Sequence, residues 1–219
     1  MLTEGEILDK ITFALPKGRL FDQTIDILKK SGILSEDINQ NTRKLILESK
    51  DYRFLVVRSK DVPVYVENGI ADIGVAGDDV LLESQPDVYK PLDLKIGYCN
   101  IVVAGKPEDR DFYFSNPASL DIATKYPKIT AQFFSDKGIN VRIFELYGSV
   151  ELAPLVGLAK FIVDIVETGT TLRENGLVVI DTIRPSTAKL IVNRGSYKLK
   201  SDKIFKILDN VEKFLRGEL

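Results

Sequence analysis

Short apolar runs alternate with amphipathic segments along the whole chain, and this alternation is typical of an α/β protein. The first apolar run, Ile11 to Leu15, predicts a strand. The next segment, Phe21 to Lys30, places apolar side chains on one side of a predicted helix. The same reasoning predicts strands at 45–48, 54–58 and 73–76, and helices at 62–68 and at about 78–83.

A second block of the same kind begins near Asp93. Its segment from Ile96 to Ala104 is apolar and rich in β-branched residues, which predicts a central strand. The remaining pattern predicts strands at 122–124, 141–145, 161–166, 177–184 and 189–193, and helices at 130–137, 149–156, 170–175 and 201–216.

A weak internal repeat suggests two similar lobes. Gly69 to Val75 (G-I-A-D-I-G-V) aligns with Gly157 to Val163 (G-L-A-K-F-I-V), and each lies between predicted helices. Helix–glycine–strand units look alike in any parallel sheet, so the likeness is also compatible with a single sheet. The two-lobed interpretation divides the chain into lobe I (1–92), lobe II (93–177) and a return to lobe I (178–219) that ends in a helix. A cleft between such lobes would suit a small anionic ligand at helix N-termini.

Composition narrows the classes of function. Thirty basic residues nearly balance 32 acidic ones, which argues against a nucleic-acid partner held by a broad basic face. The absence of histidine removes histidine-based acid–base catalysis, catalytic triads and most zinc sites. The lone cysteine, Cys99, fits a reducing compartment. An acidic N-terminus and the lack of an apolar stretch of ~20 residues predict a cytoplasmic protein with no membrane partner.

The segment from Asp164 to Leu172 (D-I-V-E-T-G-T-T-L) carries the strongest chemical signal. A buried strand leads to Glu167, after which Thr168, Gly169, Thr170 and Thr171 open a short helix. Backbone N–H groups at such a turn stabilise an anion, the glycine admits a phosphate close to the backbone, and the threonines add hydroxyl donors. The segment therefore predicts a phosphate-binding loop, although a polar helix cap after a parallel strand would look similar.

Two acidic residues next to this loop favour a sugar phosphate over a nucleoside triphosphate. Asp164 and Glu167 can accept hydrogen bonds from ribose hydroxyls, and we assign the ribose first to Glu167 because it adjoins the turn. Either residue could hold a magnesium ion that bridges to pyrophosphate. We expect no site made of direct protein ligands to the metal, with Asp164 as the possible exception. These features together predict a phosphoribosyltransferase that binds phosphoribosyl pyrophosphate.

A basic turn follows the first strand and is the second candidate site. Lys17, Gly18 and Arg19 stand where α/β folds bind ligands, at the carboxyl end of a strand. We predict that the two cations bind phosphate groups, arginine through its planar fork and lysine as a point charge. Arg58 ends another strand, and Lys125 follows a third. A solvated basic turn is the alternative.

Longer motifs resemble ATP phosphoribosyltransferase, the first enzyme of histidine biosynthesis. The resemblance covers nearly the whole chain and includes the loop described above. Glu151, Gly157, Ala159 and Ile162 stand where the family signature expects them, as do Asp164, Thr168, Gly169, Thr171 and Leu172. The other motifs are A-L-P-K-G-R-L (14–20), D-V-P-V-Y-V-E-N-G-I-A-D-I-G-V-A-G-D-D (61–79), A-T-K-Y-P (123–127) and G-S-V-E-L-A-P-L-V-G-L-A (148–159).

The resemblance implies a reaction and a fold. Phosphoribose would pass from phosphoribosyl pyrophosphate to an adenine ring nitrogen of ATP, with release of pyrophosphate in the presence of Mg²⁺. The fold would be that of the two-lobed, type II periplasmic binding proteins. The phosphate loop maps onto Glu167 to Thr171, and the basic turn, with Arg58, is assigned to ATP. Lys17, Arg19 and Glu167 are the predicted catalytic residues.

Two further expectations come from the resemblance. A basic residue often precedes the I-A-T-K-Y-P motif in the family, whereas Asp121 stands here, so a phosphate contact is not carried over to that position. The chain resembles the short form of the enzyme, which lacks a C-terminal regulatory domain. Short forms depend on a regulatory partner that resembles histidyl-tRNA synthetase, so we expect a hetero-oligomer in which this chain also self-associates as a dimer.

Two other functions would share many of these features. A non-catalytic two-lobed binder of a small anionic solute would have the same fold, but it is disfavoured by the acidic residues beside the loop. A phosphoribosyltransferase for a free nucleobase would share the loop, and a panel of substrates would distinguish it.

Overall fold

The computed structural model describes residues 10–40, 43–115 and 117–219, which form two compact units. Unit 1 contains the described residues up to Gly97 together with Thr187–Leu219. Unit 2 contains the described residues of Tyr98–Ser186. Each unit is an α/β structure with its own sheet.

Unit 1 is built on a mixed sheet. Its strands are β1 (Ile11–Pro16), β2 (Ile46–Glu48), β3 (Tyr52–Val57), β4 (Ile73–Gly77), β5 (Tyr89–Asp93) and β11 (Ala188–Val192). Their order across the sheet is β2-β3-β1-β4-β11-β5. The three central strands β3, β1 and β4 are parallel, so their carboxyl ends lie at one edge. Every residue of β1 is buried, which explains its continuous apolar run.

Amphipathic helices cover this sheet. Helix α1 (Arg19–Lys30) buries Phe21, Ile25 and Leu28 in the same core cluster as Ile204 and Val211 from the C-terminal helix. Both helices therefore use a stripe of apolar side chains against the sheet. The helices of unit 1 are α1 (Arg19–Lys30), α2 (Val62–Glu67), α3 (Asp78–Ser84), α8 (Arg194–Leu199) and α9 (Ser201–Arg216), with a 3-10 turn at Ser59–Asp61.

A buried carboxylate joins the sheet of unit 1 to its C-terminal helices. Asp72 lies just before β4 and is 5% exposed. Its carboxylate accepts hydrogen bonds from the Thr12 amide at 2.9 Å, the Ser196 hydroxyl at 2.6 Å and the Lys200 ammonium at 2.8 Å. A buried charge with three donors is well compensated, so this cluster stabilises the fold.

Unit 2 has a second mixed sheet. Its strands are β6 (Cys99–Gly105), β7 (Ser119–Thr124), β8 (Asn140–Glu145), β9 (Phe161–Val166) and β10 (Val178–Ser186). The order is β10-β6-β9-β7-β8, with β7, β8 and β9 parallel and β6 antiparallel to β9 and β10. The helices are α4 (Arg110–Phe114), α5 (Pro127–Asp136), α6 (Leu152–Val156) and α7 (Thr170–Glu174), with a 3-10 turn at Pro107–Asp109.

The structure differs from the predicted domain division at the second crossing. The return to lobe I was expected to begin at 178, within the strand predicted at 177–184. The observed strand β10 instead pairs with β6 along its length, from Val178 opposite Gly105 to Ser186 opposite Cys99. The return to unit 1 therefore begins at Thr187. The first crossing falls after Gly97, close to the expected boundary at 92.

Candidate functional site

The carboxyl edge of the parallel strands in unit 2 collects the predicted phosphate-binding residues. Strands β7 and β9 run parallel with Thr124 opposite Val163, so Lys125 and Asp164 are neighbours across the two strands. The buried Thr124 hydroxyl donates to the Val163 carbonyl at 2.7 Å and accepts from the Tyr126 amide at 2.9 Å. This pair of bonds fixes the turn that presents Lys125.

Strand β9 delivers the loop itself. After Val166 the chain passes through Glu167 and Thr168 to Gly169, which has a φ of 73° and forms the N-cap of α7. This left-handed conformation favours glycine and lets the chain turn tightly from strand to helix. The amides of the first helical turn have no intrahelical acceptor, so they can serve as donors to an anion.

Hydroxyl groups surround this turn. The Thr168 and Thr170 side-chain oxygens lie 3.1 Å apart, and the Thr170 amide lies 3.4 Å from the Thr168 hydroxyl. The side chains of Glu167, Thr168, Thr170 and Thr171 are all exposed, as binding of an external ligand requires. The structure thus brings the predicted loop residues together around one turn.

Asp164 lies in β9, three residues before Glu167, as a buried member of an ion pair. Its Oδ2 atom is 3.1 Å from the Lys125 ammonium, and its Oδ1 atom accepts from the Ile165 amide at 2.8 Å. Burial raises the pKa of Asp164, an effect that Lys125 and the amide oppose and that the charge of Glu151 reinforces. Asp164 is thus a carboxylate whose ionised form depends on a lysine at the carboxyl edge of the sheet.

The arrangement does not suit Asp164 as a direct magnesium ligand. Both carboxylate oxygens already have partners, and one of these partners is a cation. Among the described residues, no three or more histidine, cysteine, aspartate or glutamate side chains come together as a metal-binding cluster. The chemistry of this donor set therefore points away from a metal held directly by Asp164.

The basic turn and Arg58 meet at the carboxyl edge of the parallel strands in unit 1. Pro16 at the end of β1 is opposite Val57 at the end of β3, so Lys17 and Arg58 are the next residues of two adjacent parallel strands. The Lys17 amide donates to the Val57 carbonyl at 2.9 Å and holds the two ends together. The side chains of Lys17, Arg19 and Arg58 are exposed.

Gly18 and a glutamine that sequence reasoning missed shape this basic turn. Gly18 has a φ of 97° and precedes α1. Gln40 holds it from both sides, because its side-chain oxygen accepts from the Gly18 amide at 2.7 Å and its side-chain nitrogen donates to the Gly18 carbonyl at 2.9 Å. No pattern along the sequence signals this contact, because the two residues are 22 positions apart.

Arg173 in α7 is a second residue that sequence reasoning missed. Its guanidinium donates to the Thr168 carbonyl at 2.9 Å and so contacts the turn directly. Asp121, in contrast, pairs with Arg142 directly across β7 and β8, where the Arg142 Nε donates to the Asp121 carboxylate at 2.9 Å. Asp121 therefore has a local structural partner.

The chain shares its fold with two solved structures of low sequence identity. Over 95% of this chain it is similar, with a TM-score of 0.58 and 14% identity, to the substrate binding protein of an amino acid ABC transporter. It also resembles the VFT2 domain of BvgS from Bordetella pertussis, with a TM-score of 0.55 and 12% identity. The predicted type II periplasmic-binding-protein fold is therefore confirmed, and these distant likenesses concern the fold alone.

More similar proteins place the chain in one enzyme family. The family model for ATP phosphoribosyltransferase matches residues 58–213. The ATP phosphoribosyltransferase of Aquifex aeolicus is 52% identical, over 92% of this chain and 93% of the relative. That of Caldanaerobacter subterraneus subsp. tengcongensis is 50% identical, over 96% of this chain and 100% of the relative. The chain belongs to the ATP phosphoribosyltransferase family.

A solved structure agrees with this family assignment. The ATP phosphoribosyl transferase (HisG:HisZ) complex from Thermotoga maritima contains a chain that is 37% identical, with a TM-score of 0.79 over 94% of this chain and 99% of that one. The resemblance predicted from the sequence is thus confirmed, and the chain is an enzyme of the pentosyltransferase class. In the described part of the chain, no helix combines the length and apolar character that crossing a bilayer requires.

Proposed function

We propose that this chain transfers the phosphoribosyl group of phosphoribosyl pyrophosphate to an adenine ring nitrogen of ATP, and so performs the first step of histidine biosynthesis. Family membership supports the reaction. The observation that carries the site assignment is the turn after β9, where exposed hydroxyls and a left-handed Gly169 adjoin a buried Asp164–Lys125 pair. We propose that this reaction takes place in the cytoplasm, as the sequence led us to expect.

In unit 2, the loop takes phosphoribosyl pyrophosphate. Thr168, Gly169, Thr170 and Thr171 bind the ribose phosphate through hydroxyls and backbone amides. Glu167 accepts hydrogen bonds from the ribose hydroxyls. Asp164 contributes indirectly, because its carboxylate holds the Lys125 ammonium at 3.1 Å. The Lys125 ammonium in turn attracts substrate anions.

In unit 1, the basic turn takes the phosphates of ATP. Lys17, Gly18, Arg19 and Arg58 follow the ends of adjacent parallel strands, where exposed cations and a glycine turn suit a polyphosphate. Lys17 and Arg19 are also the cations that we propose to offset the negative charge that develops on the leaving pyrophosphate. The Gln40 contacts keep Gly18 in the conformation that this role requires.

The reaction itself needs charge stabilisation more than a strong base. The bond between the ribose anomeric carbon and pyrophosphate breaks, and its electron pair leaves with pyrophosphate. The adenine ring nitrogen donates the electron pair of the new bond to an oxocarbenium-like ribose. Alignment of the two substrates and fixed positive charge are the main contributions of the protein. The chain has no histidine, so no imidazole side chain of its own acts as the base.

Magnesium binds as part of the substrate, as a complex with phosphoribosyl pyrophosphate. Mg²⁺ bound to diphosphate oxygens supplies additional neutralisation of the leaving group. The Asp164 carboxylate already pairs with Lys125 and accepts from a backbone amide, so we do not assign Asp164 as a magnesium ligand. In this arrangement the residues of the chain contact the substrate itself and do not ligate the metal ion.

We also propose a regulatory partner. The solved Thermotoga maritima assembly is a HisG:HisZ complex, and the chain in it that this protein resembles is matched over 99% of its length. By analogy, this chain assembles with a subunit that resembles histidyl-tRNA synthetase, and it self-associates as a dimer within that hetero-oligomer. Activity should therefore be assayed with the cognate partner present.

A kinetic experiment tests the site assignment. The wild-type complex should convert ATP, phosphoribosyl pyrophosphate and Mg²⁺ into a new ultraviolet-absorbing adduct with release of pyrophosphate. Thr171→Ala and Glu167→Ala should each raise the KM for phosphoribosyl pyrophosphate about 10-fold or more, because each removes a hydrogen bond to a charged or strongly polarised ligand. The KM for ATP should change much less.

Matched controls and the competing functions are part of the same experiment. Thr182→Ala and Glu108→Ala remove exposed side chains of the same types in the same unit and should behave as wild type. Unchanged kinetics in both loop variants would refute the loop assignment. Phosphoribosylation of a free nucleobase instead of ATP, or binding of the substrates without product, would support one of the other two functions.

A further inference from the structure

Arg173 forms hydrogen bonds with the turn that we assign to the ribose phosphate. It lies in α7, and its guanidinium reaches back over the start of that helix. The Nη1 atom donates to the Thr168 carbonyl at 2.9 Å, and the Nη2 atom lies 3.1 Å from the Thr170 hydroxyl oxygen. One planar, permanently charged group thus holds two residues of the loop at fixed separation.

Gly169 lies close to the guanidinium of Arg173. A Cβ atom added at Gly169 would lie 3.1 Å from the Arg173 Nη1 atom, which is tighter than ordinary van der Waals contact. The φ of 73° is unfavourable for other residues as well. Glycine therefore fits the turn without strain and leaves the guanidinium in its place, whereas a Cβ would require the guanidinium to shift by a few tenths of an ångström.

The bond to the Thr168 carbonyl also sets the direction of a backbone donor. The Thr168 carbonyl and the Gly169 N–H belong to one planar trans peptide unit, so they point in opposite directions. Because Arg173 fixes the carbonyl on its own side, the Gly169 N–H is directed to the other side of the loop. That is the orientation in which an amide can donate to an anion lying away from Arg173.

We infer that Arg173 is a positioning residue, which keeps the loop 168–170 in its phosphate-binding conformation before the substrate arrives. The inference rests on the proposed function, since it concerns binding of phosphoribosyl pyrophosphate at this loop. A preorganised loop loses less conformational entropy on binding, so the advantage appears in substrate affinity. An exposed arginine on α7 that did not contact the loop would not increase the affinity for the substrate.

Steady-state kinetics of the complete complex provides the first test. Arg173→Ala should raise the KM for phosphoribosyl pyrophosphate about 10- to 30-fold while kcat and the KM for ATP change less than about 3-fold. Arg173→Lys keeps the charge but cannot bridge both acceptors with one planar fork, so it should recover less than half of the loss on a logarithmic scale. Arg110→Ala, which removes another exposed arginine of unit 2, should match wild type.

Hydrogen–deuterium exchange of the ligand-free complex provides a second, independent readout. The peptide that spans 165–175 should exchange at least about three times faster in Arg173→Ala than in wild type or Arg110→Ala, because the loop loses its tether. Saturating phosphoribosyl pyrophosphate should restore its protection. If Arg173→Ala does not fold, Arg173→Lys gives the same comparison with a smaller perturbation.

The outcomes separate this inference from the proposed function. A raised KM with unchanged exchange would make Arg173 a direct substrate contact and overturn the positioning role. Full recovery by Arg173→Lys would show that charge alone matters, and it would overturn the role as well. If Arg173→Ala matches Arg110→Ala while Thr171→Ala still weakens binding, only this inference fails. If Thr171→Ala and Glu167→Ala also bind normally, the loop assignment fails with it.

Discussion

The two units contain similar helix–glycine–strand segments, but they place a buried aspartate toward opposite ends of the strand. In the aligned repeat, Asp72 of unit 1 stands where unit 2 has Lys160, and Asp164 of unit 2 stands where unit 1 has Ala76. Asp72 therefore lies at the amino end of β4, whereas Asp164 lies near the carboxyl end of β9. In parallel sheets, ligands bind at the carboxyl ends of strands.

The surroundings of the two aspartates differ in the same sense. Asp72 accepts from an amide, a hydroxyl and an ammonium group, and it ties the C-terminal helices to the sheet. Asp164 is held by Lys125 and the Ile165 amide, and its burial raises its pKa. One repeat thus carries an acid that serves the fold, and the other carries an acid next to the turn proposed to bind substrate.

The turns after the two strands also differ. Strand β4 passes through Gly77 into α3, whose first turn begins with Asp78 and Asp79. Strand β9 passes through Gly169 into α7, whose first turn begins with Thr170 and Thr171. Carboxylates in a first turn repel an anion, whereas hydroxyls can bind one. The comparison explains why only the unit 2 turn is proposed as a phosphate seat.

The largest expected effect comes from giving the unit 2 turn the charge of its unit 1 counterpart. Thr171→Asp should lower kcat/KM for phosphoribosyl pyrophosphate about 1000-fold, because a carboxylate would face the substrate phosphate at short range. The unfolding temperature should not fall, since an acid is favourable in the first turn of a helix. Thr171→Asn is the neutral control and should lose much less activity. Equal losses in the two variants would argue against a phosphate at this position.

The next effect concerns stability and the unit 1 aspartate. Asp72→Asn should lower the free energy of unfolding by about 2 kcal/mol, because it leaves the Lys200 ammonium without its buried counter-charge. Catalytic parameters measured well below the unfolding temperature should stay at wild-type values. Asp209→Asn breaks an exposed pair with Lys213 and should leave the urea midpoint nearly unchanged. A catalytic defect in Asp72→Asn would contradict the division of roles between the two aspartates.

A pH-dependent effect of similar size is expected from the unit 2 ion pair. Lys125→Met removes a group that lowers the Asp164 pKa, so that pKa should rise further above its ordinary value. The folded state then favours the protonated carboxyl, which costs stability as the pH rises through the folded pKa. Unfolding by urea should show a loss of about 2 kcal/mol near pH 8 that shrinks toward pH 5. Adding Asp164→Asn to Lys125→Met should remove this pH dependence; its persistence would implicate another group.

The smallest effect tests what the repeats share. Gly69 and Gly157 have φ values of 72° and 78°, and each ends the helix before its strand. Alanine at either position should cost about 1 kcal/mol of stability through backbone strain alone, with activity unchanged. Gly148→Ala is the control, because that glycine has no positive φ and open space around it. Clearly unequal costs at Gly69 and Gly157 would show that the repeat is one of sequence more than of conformation.

The elements predicted well were those whose side-chain pattern is set by burial. Strands β1 and β9 and helix α9 have continuous or periodic apolar positions, and the structure places them close to the predicted bounds. The pattern missed β5, whose sequence Y-K-P-L-D is mostly exposed and whose strand conformation comes from pairing with β11. It also missed α4, which is five residues long and buries only Tyr113. Such elements are defined by long-range contacts that a local pattern does not encode.

The sequence alone indicated the family and the reaction class, and it predicted a phosphate loop from Glu167 to Thr171, because these inferences depend on residue types in a fixed local order. Threonines around a glycine after a buried strand could also form a polar helix cap, and the neighbouring Asp164 and Glu167 are what favoured a sugar-phosphate loop. The tertiary structure decided which residues stand beside that loop. Lys125 reaches Asp164 through the parallel register of β7 and β9, and Gln40 reaches Gly18 across 22 positions. Contacts of this kind follow from the packing of strands and helices, so they become visible only when the chain is folded.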